Sequence, residues 1–446
     1  MAAAEQAQTV DTVVHARWII PVVPAGKVYE NCALAIHSGR ILAILPSTEA
    51  ERRYRADHVV RLEHHALIPG LINTHTHAAM TLLRGYADDR PLMEWLHEHI
   101  WPAEQRWVEP AFVADGSRLA IAEMLRSGTT TFSDQYFFPE ASAQVARETG
   151  MRAQIAFPII DAPTPWSRDG EDALQKGLAL RDDYRAHERI DVVFAPHAPY
   201  TVGDATLEKI AVYAAEAQIP VQMHLHETAG EVERAVAQHG ERPTERLHRL
   251  GLLTPQTLCV HMTAVSDLDL ELLKENGAHV AHCPRSNMKL ASGFCPTSKL
   301  LDNGINVALG TDGAASNNGL DMFTEANTAA LLAKAVSGRA DALPAQQALA
   351  MATIHGARAL GIEDRTGSLE PGKQADLTAL NLARLEQQPL HDPISQLVYT
   401  GGGHLVTDTW VAGRQLLANG QLTTINEAEL LQRVRDWRAR IAGQSV

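Results

Sequence analysis

The chain has 446 residues, 45% hydrophobic and 21% charged, enough apolar material for a large core. Its 39 basic and 53 acidic side chains leave a net charge of −14, which speaks against non-specific nucleic-acid binding. No run approaches 18 apolar residues and Met1 to Val10 has neither a basic nor an apolar stretch, so neither a membrane span nor a signal peptide is expected. The four cysteines, Cys32, Cys259, Cys283 and Cys295, form no C-x-x-C pair. They read as reduced thiols in a soluble cytoplasmic protein. The unusual count is 21 histidines.

Residues 11 to 66 read as short β segments: Thr12–Val14, Trp18–Ile20, Cys32–Ile36 and Arg40–Ile44, with a tight turn at His37–Arg40. They are too few to bury a core alone. From Leu67 the pattern alternates strand and helix. The first strand is Leu67–His77, followed by a Trp- and His-rich insertion, Asp88–Trp107, and a helix over Glu109–Arg126 stopped by Gly128. Further strands are expected at Thr129–Asp134, Arg152–Phe157, Ile190–Phe194, Pro220–His224, Thr257–His261, His279–His282 and Asn306–Leu309. Eight strands separated by helices predict a parallel (β/α)8 TIM barrel. After Gly367 the chain returns to β character, at Ser368–Thr378, Leu405–Val406 and Thr409–Val411. Pairing of these with the N-terminal strands predicts a discontinuous β-sandwich. The expected division is 1–67 and 368–446 for that domain and 68–367 for the barrel.

Active sites of such barrels lie at the C-terminal ends of the strands. His75 and His77 end the first strand, on one face of an extended chain. The fourth leads into His197. The fifth carries His224 and His226, followed by Glu227. The sixth ends in His261, the seventh in His282, and the eighth leads to Asp312. Each alone reads as a packing residue; six strands placing such groups at one end read as a site. His75, His77, a histidine of the fifth strand and Asp312 would hold one divalent metal ion with a position left for water. Zn2+ suits imidazole and carboxylate best, with Fe2+, Co2+ or Mn2+ chemically compatible. His224 and His226 share parity, and either satisfies the pattern. Attack on an aromatic carbon also needs an acid and a base, for which Glu227 and Asp312 are the candidates.

Five stretches in this order resemble the amidohydrolase superfamily, in its branch of purine deaminases and triazine hydrolases. They are Pro69-Gly70-Leu71-Ile72-Asn73-Thr74-His75-Thr76-His77, Met223-His224-Leu225-His226-Glu227-Thr228, Val280-Ala281-His282-Cys283-Pro284-Arg285-Ser286-Asn287, Gly310-Thr311-Asp312-Gly313 and Gly372-Lys373-Gln374-Ala375-Asp376-Leu377. The resemblance favours His224 over His226 as ligand and implies that Glu227 donates a proton to a ring nitrogen. It further implies that His261 orients the attacking water or leaving group, and that Asp312 binds metal and shuttles protons. Within the branch the pattern is most similar to the 5′-methylthioadenosine/S-adenosylhomocysteine deaminases. That likeness implies that Glu104, in the insertion, binds ribose hydroxyls and that His197 contacts the nucleoside.

An arginine would hold the amino acid of a homocysteine-bearing substrate, and Arg168, after the third strand, is a candidate without further support. Trp95, Trp101 and Trp107 suit either a lid or helix packing. His282 reads as a support through hydrogen bonding, and Cys283 as buried and inert. The expected activity is metal-dependent deamination of the adenine ring of 5′-methylthioadenosine, S-adenosylhomocysteine or adenosine, giving the inosine analogue and ammonia. The alternatives are a deaminase or chlorohydrolase of guanine, cytosine or an s-triazine, and a non-catalytic metal-binding scaffold. A binuclear cyclic-amide hydrolase would need a lysine at the end of the fourth strand, where the sequence is Asp191-Val192-Val193-Phe194-Ala195-Pro196. The partner expected is a small nucleoside, without nucleic acid or membrane; a homo-oligomer is compatible with the sequence but not fixed by it.

Overall fold

The computed structural model describes residues 7–443. Two eight-stranded sheets organise them. Strands β1 (Gln8–Ile19), β2 (Tyr29–His37), β3 (Arg40–Pro46) and β4 (Tyr54–Pro69) belong to the first. The second holds β5 (Leu71–Thr76), β6 (Thr129–Asp134), β7 (Arg152–Ile159), β8 (Ile190–Pro196), β9 (Val221–Leu225), β10 (Thr257–His261), β11 (His279–His282) and β12 (Val307–Leu309). The chain then returns to the first sheet with β13 (Leu377–Asn381), β14 (Val406–Val411), β15 (Arg414–Ala418) and β16 (Gln421–Leu422).

The second sheet is parallel throughout, each strand beside the next in chain order. Its ends meet where the Asp312 amide donates to the His75 carbonyl at 3.0 Å and the Thr74 hydroxyl donates to the Leu309 carbonyl at 2.8 Å. This is the expected barrel. Its strands are buried on both faces because helices cover the outside. At the closure a side chain on Gly310 would press on the His75 backbone at 3.0 Å, so the residue before Thr311 must stay small.

The first sheet runs β16-β15-β14-β13-β4-β1-β2-β3, so strands from both termini are joined by the antiparallel pair β4 and β13. Its β3 edge turns back to bond Gly372 and Lys373 through Ile41. The sheet thereby encloses a core of Val14, Leu34, Ile36, Leu67, Leu377 and Trp410. The discontinuous β domain is therefore present.

Several elements differ from expectation. The stretch Leu67–His77 is not one strand. Leu67–Pro69 ends β4 in the first sheet, and the barrel strand starts at Leu71. Gly70 makes the crossing, where a side chain would collide with Thr130 at 2.1 Å. Most of β4, sixteen residues with many exposed charged positions, lacks the apolar signal of a buried strand. The C-terminal segment is not all β, since Glu427–Ile441 is a helix. Asn426 caps it, and Trp437 packs edge-to-face on Phe112 at 5.3 Å while its indole donates to Asp115. The insertion Leu92–Trp107 is helical, with a π-helical turn at Trp95–Ile100. No helix among the described residues is long and apolar enough to cross a membrane.

Candidate metal centre and binding cavity

The sequence-expected rim residues come together at the C-terminal ends of the barrel strands. Asp312 Oδ1 lies 3.2 Å from His77 Nε2 and 3.5 Å from His75 Nε2, and His224 Nε2 lies 3.2 Å from His75 Nε2. His261 joins the group, with Nε2 3.9 Å from Glu227 Oε1.

The proton positions follow from the outer partners. A carbonyl only accepts, so His77 Nδ1 donates to the Gln135 carbonyl and His224 Nδ1 donates to the His197 carbonyl at 2.7 Å. In the neutral rings Nε2 then presents a lone pair, and both lone pairs aim at the space that Asp312 Oδ1 also faces. Two lone pairs and a carboxylate oxygen packed this closely repel one another unless a metal cation, or a proton on His77 Nε2, lies between them. The donor set fits a divalent ion of the zinc type. His75 Nδ1 is buried without a hydrogen-bond partner among the described residues.

Asp312 has a left-handed backbone, φ +60°. Its Oδ2 accepts from Ser286 at 2.6 Å and Ser316 at 2.8 Å, leaving Oδ1 turned to the histidines. Burial opposes its charge, but the facing histidines win and hold its carboxyl well below the usual range. The same balance pushes His77 up to about 9: burial lowers it and Asp312 outweighs burial. His75, fully enclosed, falls to about 4 through burial.

His226 does not share the site. Strand β9 ends at Leu225, and the positive φ of His226, +51°, breaks the alternation that gave both histidines one parity. Its Nδ1 donates to the Ala264 carbonyl at 3.0 Å. The same turn presents Glu227 to the cavity, and Glu231 fixes it by accepting from the His226 amide at 3.0 Å and the Glu227 amide at 2.9 Å. Burial, and then the charge of Asp312, push the Glu227 carboxyl up to about 8, so it carries a proton at neutral pH. His261 Nδ1 donates to the Asn287 amide oxygen at 2.9 Å, leaving Nε2 free toward the cavity.

The cavity above the cluster measures about 330 Å3. Glu104, His197, Glu227, His261 and Asp312 all line it, with Trp95 and Trp101 among its apolar walls. Glu104 is buried beside Tyr136, and burial raises its carboxyl to about 7. His197 is lowered to about 4 by burial and the neighbouring histidines, and its Nδ1 lies 3.2 Å from the Thr201 hydroxyl.

Three expectations change. Trp107 lies outside the cavity, under the Arg106 guanidinium, so only two of the three tryptophans wall it. Arg168 points to solvent, 82% exposed and paired with Asp172. His282 is buried, but neither ring nitrogen has a hydrogen-bond partner among the described residues, so it contributes packing and not the expected hydrogen bond. Cys283 is buried, its thiol pushed well above its usual range.

The residues missed in the sequence are the ones that aim the others: Ser286, Asn287, Ser316 and Glu231. Ser286 and Asn287 lay inside a quoted motif without a role. Gln135, whose buried side-chain amide has no protein partner, and Tyr136 also line the cavity.

Residues 66–416 match the model of the Amidohydrolase family. The chain is 54% identical over 436 residues to a 5-methylthioadenosine/S-adenosylhomocysteine deaminase of Teredinibacter turnerae, covering 98% of this chain and 99% of the relative. A protein of the same name from Saccharophagus degradans is 52% identical over 434 residues, covering 97% of each. Among solved structures, an adenosine deaminase from Xanthomonas campestris with bound zinc superposes with a TM-score of 0.97 at 48% identity, covering 98% of this chain and all of that one.

Proposed function

The chain belongs to the amidohydrolase family, and on that premise we propose that it is a metal-dependent aminohydrolase acting on the adenine ring of 5′-methylthioadenosine-type nucleosides. The products are the inosine analogue and ammonia. The relatives that match 97–98% of its length carry both substrates and the deaminase activity in their names. The observation that carries the reading is one shared cavity. His77, His224 and Asp312 of the ligand cluster, a protonated Glu227 and the insertion's Glu104 all face it.

His75, His77, His224 and Asp312 would hold the ion. When bound, a divalent metal such as zinc makes water nucleophilic at neutral pH. His261, held by Asn287, orients that water toward C6 of the purine. Glu227 gives its proton to ring nitrogen N1, which lets C6 accept the new C–O bond. Asp312 Oδ1 takes the proton released by the water and passes it to the C6 amino group, which leaves as ammonia. As ammonia leaves, the C6 hydroxyl gives up its proton, which restores Glu227 and leaves N1–H and C6=O in the product. Glu104, as a carboxylate, accepts from the vicinal ribose hydroxyls, and His197 contacts the nucleoside.

The test is a spectrophotometric deamination screen of zinc-loaded protein against adenine nucleosides, free guanine and cytosine, and aminated or chlorinated s-triazines. Turnover of 5′-methylthioadenosine ahead of free bases and triazines is expected. Turnover confined to bases or triazines would refute the nucleoside reading, and bound metal without turnover of any of them would favour the scaffold.

A further inference from the structure

We infer that the cavity selects 5′-alkylthioadenosines with an uncharged 5′ arm and discriminates against S-adenosylhomocysteine. This rests on the nucleoside reading above and refines it. Among the described residues, no lysine or arginine lines the cavity; its acidic side chains are Glu104, Glu227 and Asp312. Apolar side chains such as Leu96, Trp101, Phe137, Ile160 and Pro163 supply much of the remaining wall. That wall suits a thioether and its alkyl group. A homocysteine arm would bring an ammonium and a carboxylate, and its carboxylate would lose hydration in a space without a matching side-chain cation.

The cations that flank the wall in the chain are turned away by the fold: Arg106 stacks on Trp107, and Lys289 pairs with Asp88 at 2.6 Å. The loop after β7 contributes Ala162 to Pro165 to the wall and is held by Thr164. The Thr164 hydroxyl accepts from the Trp166 amide at 3.2 Å and the Ser167 amide at 2.8 Å. Immediately beyond, Asp172 gathers both basic residues of this region. It accepts from the Arg168 amide at 3.0 Å and guanidinium at 3.1 Å, and pairs with Lys176 at 3.0 Å. Lys176 also donates to the Trp166 carbonyl at 2.6 Å, on the outer side of the loop. On the opposite side, Arg234 lines a separate cavity of about 100 Å3, which shares Tyr200 with the first.

The experiment compares kcat/KM of the zinc-loaded full chain on 5′-methylthioadenosine, 5′-n-butylthioadenosine and S-adenosylhomocysteine. The butyl compound has nearly the length of the homocysteine arm without its charges. The butyl compound should be turned over at least as well as methylthioadenosine, since added methylenes gain from an apolar wall, and S-adenosylhomocysteine should be worse than the butyl compound by roughly tenfold or more. Ala162→Arg, which adds a cation to the wall, should raise the ratio of S-adenosylhomocysteine to methylthioadenosine turnover. Arg234→Gln should leave that ratio unchanged.

Equal turnover of all three compounds overturns the inference while leaving the deaminase reading intact. A butyl compound as poor as S-adenosylhomocysteine assigns the exclusion to length and overturns the charge argument. A lowered ratio in Arg234→Gln shows that the arm reaches a cation after all. Failure on all three nucleosides refutes the deaminase reading itself, and the inference with it.

Discussion

At the end of the barrel where the strands begin, Arg152 of β7 and Asp376 form a buried ion pair, 1% and 0% exposed, joining the barrel to the terminal sheet. Arg152 Nε donates to Asp376 at 2.8 Å, and the rest of the guanidinium reaches Asp376, Gln374 and the Glu188 carbonyl. Asp376 also accepts from the Ala412 amide at 2.6 Å. At the other end, where the strands stop, His77 Nε2 faces Asp312, His224 Nε2 faces His75, and the Gln135 side-chain amide has no partner among the described residues. There Glu227 and Glu104 are buried carboxyls without a paired cation. Both ends bury polar groups. One satisfies them within the chain and so fixes two domains in register. The other leaves lone pairs and protons pointed into a cavity, where a metal and a substrate satisfy them.

Substitutions at the two ends should therefore separate activity from stability. Glu227→Gln removes a proton donor and should lower kcat by about 10²–10⁴-fold. Its metal content and melting temperature should stay near wild type; retained turnover would remove Glu227 from the acid role. Arg152→Met strands a buried carboxylate at the opposite end and should cost about 3–5 kcal/mol of stability. A denaturant titration would read that cost, and kcat at low temperature should be unaffected. A variant as stable as wild type would mean that the pair does not lock the domains.

Glu104→Gln should lower kcat/KM on a ribonucleoside by roughly ten- to two-hundredfold. The 2′,3′-dideoxy analogue should react equally with variant and wild type, and an equal loss on both would detach Glu104 from the ribose. The smallest effect is the pH limb. Glu227 must be protonated to act, and its carboxyl is raised from its ordinary range to about 8. The rate assigned to it is present below that value and lost as pH rises through it, about tenfold per unit beyond. A decline already complete near pH 5 would show that Glu227 keeps an ordinary carboxyl.

Much of this was legible in the linear chain. Apolar runs alternating with amphipathic segments specify a parallel barrel, since only a closed sheet covered by helices buries strands on both faces. That rule alone assigns His75, His77, His261 and Asp312 to one rim, because strand ends are short-range features. The long-range events were not legible. Gly70 divides an apparently single strand between two sheets, because the need for it arises from Thr130, sixty residues away. The choice of His224 over His226 turned on one left-handed residue that strand parity cannot anticipate. The partners that set proton positions and pKa values, among them Gln135, Asn287, Ser286 and Glu231, are ordinary polar residues whose significance exists only in three dimensions. Residue chemistry and local periodicity thus determined the barrel and most of the residues that meet at its rim. Burial and the direction of each lone pair, which depend on contacts between distant segments, were decided only by the tertiary structure.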